Sequence, residues 1–191
     1  FLSENVWHYL SSPLSNVQAN KLTTTTWGEQ NPNFYFYNEK IADFWINNTV
    51  YLPTGWTQVT GSQFLQTNKG YIHYSPESNT YSLTGGVLEV NDKNYTLSYT
   101  DNGDGEEPTT LLDWDNFEGW NLIGNPYSCA IDWNYVAQNA DTSFIYPVIY
   151  YYDGNSANYK YFGVSTTFNQ GITINGGSQN IPANQAFFIK A

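Results

Sequence analysis

The amino-acid sequence predicts an all-β protein: two tandem antiparallel β-sandwich units related by an internal repeat, the second incomplete at its C-terminus. Three observations carry this reading. Short segments of alternating apolar and polar residues recur along the chain, broken every ~8–12 residues by clusters of Asn, Gly, Thr and Ser. No window of ~11 or more residues sustains the i, i+3, i+4 apolar spacing of a helix. Three stretches of the first half return, in the same order, 113 to 116 residues later.

The first strand of each copy is marked by Trp7-His8-Tyr9-Leu10-Ser11-Ser12-Pro13-Leu14-Ser15 and by Trp120-Asn121-Leu122-Ile123-Gly124-Asn125-Pro126-Tyr127-Ser128, in which Trp, Pro and Ser coincide at a separation of 113 residues. Pro cannot donate to a β-ladder, so Pro13 and Pro126 are expected to close the pairing of those strands. The second pair is Phe34-Tyr35-Phe36-Tyr37-Asn38 against Ile149-Tyr150-Tyr151-Tyr152-Asp153, 115 residues apart. The third is Lys69-Gly70-Tyr71-Ile72 against Gln185-Ala186-Phe187-Phe188, 116 residues apart. Beyond it the first copy continues through residues 81–90 and 95–100, which alternate and read as two further strands. The second copy stops after its third matched strand. Residues 131–139 are the best short helical candidate, with Asp132 placed to cap a turn or two. The polar, Gly-rich residues 101–108 form an acidic linker, giving a first unit over residues 1–108 and a second over residues 109–191.

Composition narrows the function. The 191 residues include 6 Lys+Arg, all Lys, against 17 Asp+Glu, for a net charge of -11. Such a chain does not bind a phosphate backbone by counterion release, nor an anionic lipid surface. No apolar run approaches the roughly 18 residues of a membrane-spanning helix. Aromatic residues make up 18% and charged residues only 12%, against about 25% charged in an average domain. The single Cys129 excludes an intrachain disulfide. The opening Phe1, in a chain without Met, suggests a processed product or a fragment.

The second copy carries a resemblance. Gly119-Trp120-Asn121-Leu122-Ile123-Gly124-Asn125-Pro126-Tyr127, then Ala130-Ile131-Asp132-Trp133, then Ile181-Pro182-Ala183-Asn184-Gln185-Ala186-Phe187-Phe188-Ile189-Lys190-Ala191 resemble the β-rich module that precedes the C-terminal sorting signal in type IX secretion cargo of Bacteroidota. Trp7 to Pro13 and Lys69-Gly70-Tyr71 resemble the first half of that module. Ser128, Ala183 and Ala186 depart from it, where the family usually has Pro, Pro and Gly. The resemblance implies an extracellular or cell-surface location and an accessory, non-catalytic role beside other domains of a parent protein.

The residues offer few chemical candidates. Asp101, Asp104 and Glu106 lie on a Gly-rich loop that could bring several oxygens to one calcium ion, and an exposed acidic linker accounts for them equally. His8 and His73 read as polar strand residues, each on the face opposite its flanking neighbours. Cys129 has no nucleophile signature around it, and no G-x-S-x-G elbow is present. No catalytic residue is assigned and no enzyme is expected. Trp7, Trp120 and Trp133 are read as core. Trp27, Trp45 and Trp56 have no counterpart in the second copy and are the candidates for glycan contact, since a flat ring stacks on the C–H face of a sugar. Two function classes follow: a structural or adhesive unit acting as spacer, stalk or interaction module, whose edge strands can join a neighbouring chain, and a carbohydrate-binding module using loop aromatics.

Overall fold

A computed structural model describes residues 2–22, 33–41, 55–78, 80–100, 118–139, 145–165 and 170–191. In the first part of the chain lie β1 (Val6–Leu10), β2 (Leu14–Ser15), a 3-10 turn (Ala19–Leu22), β3 (Phe34–Tyr37), a second 3-10 turn (Glu39–Ile41), β4 (Trp56–Gln58), β5 (Tyr71–Ser75) and β6 (Val87–Leu88). The second part holds β7 (Trp120–Gly124), β8 (Ile131–Asp132), α1 (Trp133–Asn139), β9 (Val148–Asp153), β10 (Asn158–Ser165), β11 (Gln170–Ile174), β12 (Asn180–Ile181) and β13 (Ala186–Lys190). The described residues are thus mostly antiparallel β with one short α-helix. That helix starts where expected, with Asp132 Oδ1 accepting the backbone N–H of Asn134 at 3.0 Å and of Tyr135 at 3.4 Å, so two otherwise orphaned donors of its first turn are satisfied.

Two large sheets form, one in the order β1-β5-β3-β4 and the other β11-β10-β9-β13-β7. Strands with matching sequences take matching places. From one edge inward, β1, β5 and β3 correspond to β7, β13 and β9, and β4 and β10 each continue the series. Two small sheets, β2 with β6 and β8 with β12, sit beside them.

Period-2 alternation gives each large sheet two apolar faces. On the outer face of the first, Leu10, Phe34 and Tyr71 pack with Val17, Val59 and Leu65. On the outer face of the second, Ile149, Phe162, Phe187 and Ile189 pack with Ile181 and with Trp133 and Ala137 of α1. The inner faces share a third cluster, in which Tyr9 of the first sheet joins Leu122, Ala186 and Phe188 of the second. Aromatic side chains from both sheets dominate this layer: Phe188 has ring centroids 5.7 Å from Tyr9, 5.1 Å from Tyr37 and 6.1 Å from Trp56.

Backbone contacts join the sheets at two corners and exchange under the sequence match. Ser11 N donates to Asn184 O at 2.9 Å, and the counterpart Gly124 N donates to Asn68 O at 3.2 Å. Leu10 bridges Gln185, and its counterpart Ile123 bridges Lys69. The chains cross so closely here that a Cβ on Gly124 would lie 2.5 Å from Ser11 Cβ and 2.7 Å from Lys69 O, which explains Gly at that position.

Two expectations need correction. Of the strands expected over residues 81–90 and 95–100, only β6 forms. Residues 95–100 are instead tied to β7 by a side chain: Asn121 Oδ1 accepts Ser98 N at 3.0 Å and Asn121 Nδ2 donates to Ser98 O at 2.9 Å. One amide thus does the work of a ladder pair. Trp7 and Trp120 are half-buried, Trp120 at the margin of the inner layer, whereas Trp133 is 4% exposed and is core as expected.

Candidate functional site

The paired turns after β1 and β7 organise the molecule around buried polar groups. Asn125 is fully buried. Its amide donates to Cys129 O at 2.8 Å, Pro182 O at 3.0 Å and Ile181 O at 3.1 Å, while its Oδ1 accepts Tyr127 N at 2.9 Å. At the matched place Ser12 Oγ donates to Leu14 O at 2.7 Å. Ser11 Oγ, donating to Asn125 O at 2.9 Å, links the two turns. Pro13 and Pro126 follow the ends of β1 and β7 and are buried, as strand-closing prolines.

Glu39 is a buried carboxylate that no motif or spacing in the sequence singles out. It is 5% exposed. Its carboxylate accepts Thr100 N at 2.6 Å, Thr100 Oγ1 at 2.8 Å and Gly119 N at 3.2 Å. Burial alone would raise its pKa, but the hydrogen bonds from Thr100 and Gly119 win and hold it below the usual carboxylate value. All its described contacts are donors of this chain, so the group reads as a clamp that holds Thr100 beside Gly119.

The histidines are register partners across β1 and β5. His8 Nε2 lies 2.9 Å from Ser3 O, and His73 Nδ1 lies 3.1 Å from Asn33 O. His73 is 2% exposed, packed against Phe34 and Tyr81, and burial pushes its pKa down to about 4. Among the described residues no three His, Cys, Asp or Glu side chains gather as a metal site. The calcium candidates Asp101, Asp104 and Glu106 lie outside the described residues, as do Trp27 and Trp45.

Trp56 is described, and it belongs to the inner layer rather than to an exposed platform. It is half-buried, with its ring centroid 5.1 Å from Tyr37. It also lines an open cavity of about 640 Å³ whose wall comes from both sheets and includes the 44% exposed Tyr159. Trp7, Tyr9, Tyr35 and Ile72 complete the wall on the first sheet. Tyr152 and Tyr159 form the opposite side. The Tyr9 and Tyr159 hydroxyls are hydrogen-bonded to each other at 2.7 Å, and burial together with Tyr159 raises the Tyr9 pKa well above the ordinary phenol value. No charged side chain is among the described residues of the wall.

The cavity has a legible cause. Ile72 on β5 and Phe188 on β13 stand at matched places in the aligned stretches 69–72 and 185–188. Phe188 also packs edge-on against Trp120, at 6.1 Å, so it fills its side of the layer with four aromatic contacts. The smaller, aliphatic Ile72 leaves the other side open.

No protein-family model matches the chain, and neither a curated protein nor a solved structure does. Among the described residues no helix is long and apolar enough to cross a membrane.

Proposed function

We propose that the chain is one β-sandwich unit present twice, the two copies closed on each other about a pseudo-two-fold axis. On this reading it serves as a non-catalytic structural or adhesive module of a secreted or cell-surface protein. The observation that carries the duplication is the exchange of contacts. Ser11–Asn184 becomes Gly124–Asn68, and Leu10–Gln185 becomes Ile123–Lys69, when each residue is replaced by its counterpart. Isologous contact of this kind is what a self-complementary pair of like units produces.

A shared inner core makes such a pair a stiff body, which suits a spacer or stalk between other domains of a parent protein. The edge strand β11 supports the interaction role: Ile172 and Ile174 on it are 56% and 40% exposed, and an edge with apolar side chains can pair with a neighbouring chain. The resemblance of residues 119–133 and 181–191 to modules of type IX cargo in Bacteroidota supports a location outside the cell.

Two experiments test it. Protease shaving of intact cells, followed with an antibody to the module, is expected to remove it, and full protection would rule out the surface location. Incubation with a panel of polysaccharides is expected to release no reducing ends. Release that disappears on changing one Asp or Glu would overturn the non-catalytic reading.

A further inference from the structure

We infer that the inter-sheet cavity beside Ile72 is a binding site for a neutral pyranose ring, such as the terminal sugar of an uncharged glycan. This goes beyond the scaffold role, and it moves sugar contact from loop aromatics to the space between the sheets.

The size of the cavity comes first. About 640 Å³ lies inside the ~300–1,000 Å³ range of small-molecule sites. The wall chemistry comes second. Six of its seven described residues are aromatic, and the negative face of an aromatic ring attracts the weakly positive C–H face of a sugar.

Charge sets the next limit. Without a described cationic side chain in the wall, and with a net charge of -11 on the chain, anionic sugars and phosphates are disfavoured. Aromatic walls on an acidic protein could also hold a quaternary ammonium group. Two observations favour the sugar over it. The volume is large for an ammonium cage. In addition, the Trp7 and Trp56 indole N–H groups and the Tyr152 hydroxyl donate to no described residue. An ammonium ion offers such donors no acceptor, whereas a pyranose offers several oxygens. The hydrogen-bonded Tyr9–Tyr159 pair adds phenol O–H groups at the cavity. The same features argue against a purely apolar aromatic ligand, which would leave these polar groups unmatched.

The repeat supplies a control within the molecule. At the matched place Phe188 occupies its side of the layer, so a Phe at position 72 should close the site in a way the fold already uses.

The test uses the whole 191-residue protein. Methyl α-D-mannopyranoside, methyl β-D-glucopyranoside, methyl β-D-galactopyranoside and N,N′-diacetylchitobiose are titrated with Trp fluorescence and ligand-observed NMR as readouts. Indole and choline chloride are run alongside. At least one sugar is expected to bind saturably. Ile72→Phe is expected to weaken it at least about tenfold by filling the space while the melting temperature is kept. Trp56→Phe, which keeps a ring and removes the N–H, is expected to weaken it about three- to tenfold. The inference is overturned if no sugar saturates, if indole or choline binds in place of the sugars, or if a folded Ile72→Phe variant binds sugar as the unchanged protein does. Should Ile72→Phe fail to fold, the Trp56→Phe titration decides, and undiminished binding there overturns the site.

Discussion

Phe188 and Ile72 stand at matched positions on matched strands, and the two sides of the inner layer differ because of them. On the Phe188 side, edge-to-face rings close the space, with Tyr37, Trp56 and Trp120 around one buried side chain. On the Ile72 side, Trp7, Tyr35, Tyr152 and Tyr159, together with Tyr9 and Trp56 shared with the Phe188 side, surround a cavity. The lesson concerns packing more than hydrophobicity. Both residues are apolar and both face the opposite sheet, yet only the one with the volume and flat shape of its neighbours completes the layer. The Phe188 side therefore joins the sheets, while the Ile72 side borders open space.

The sharpest way to break this comparison is to empty the closed side. Phe188 is 7% exposed, so Phe188→Ala should cost about 3–5 kcal/mol, the usual range for a buried Phe. The matched Ile72→Ala should cost only about 1–2 kcal/mol, since part of that side chain already borders open space. Urea titrations of both variants measure the difference, and equal losses would mean that the two sides are packed alike.

A second contrast lies on the outer faces, where His73 of the first sheet stands at the place of Ile189 in the second. His73 is held neutral in the fold, with a pKa of about 4 against an ordinary value of 6.5. As the pH falls, the unfolded chain takes up this proton first. The stability contribution is therefore complete above about 6.5 and is lost between there and about 4, by up to about 3 kcal/mol. Hydrogen exchange at pH 5 should show β1, β3 and β5 losing protection before β7, β9 and β13. Replacing His73 with Gln should flatten the pH dependence over that interval, and an unchanged slope would assign it to other groups.

Much of this was readable from the chain alone. The matched Trp, Pro and aromatic runs located β1, β3 and β5 and the strands at the matched places, because two aligned stretches reinforce a weak period-2 signal. Asp132 located α1 because capping is local. What stayed hidden was non-local. Alternation cannot say that the inner faces of two sheets meet, so Trp56 read as a loop platform when it is part of the shared layer. Residues 95–100 alternate like a strand, but Asn121 reaches them with its amide, and no local pattern announces that. The Ile72–Phe188 match was visible in the sequence. Its consequence was not, since it depends on which face each residue occupies and on what lies across from it.

Glu39 extends the comparison to the ends of β3 and β9. Its counterpart is Gly154, which has no side chain to clamp anything and approaches the backbone of Trp7 closely. At this matched place only the first half of the chain has a carboxylate. Glu39→Gln keeps the shape but removes the charge that strengthens the bonds from Thr100 and Gly119, and should cost about 1–3 kcal/mol. Because the fold lowers the Glu39 pKa, its contribution is present above 4.5 and fades as the pH falls toward the lowered value. Thermal melts taken in steps downward from pH 7 are expected to show the gap between variant and parent narrowing as the pH falls below 4.5. A constant gap would mean that charge is not what the clamp uses.

The smallest predicted effect concerns the segments that follow the two buried prolines. After Pro126, Asp132 accepts two backbone N–H groups and starts a seven-residue helix. The residue at the matched place in the first copy is Ala19, which has no capping oxygen, and the chain there makes only the 3-10 turn Ala19–Leu22. Asp132→Ala imposes the first copy's chemistry on the second. It should cost about 0.5–1 kcal/mol, the ordinary loss of an exposed N-cap, and reduce amide protection across the first turn of α1. Trp133 and Ala137 anchor the helix to the second outer core, so tertiary packing should keep it in place with its first turn frayed. Loss of the whole helix signal in Asp132→Ala would show that the cap, and not this burial, decides why one copy has a helix and the other a turn.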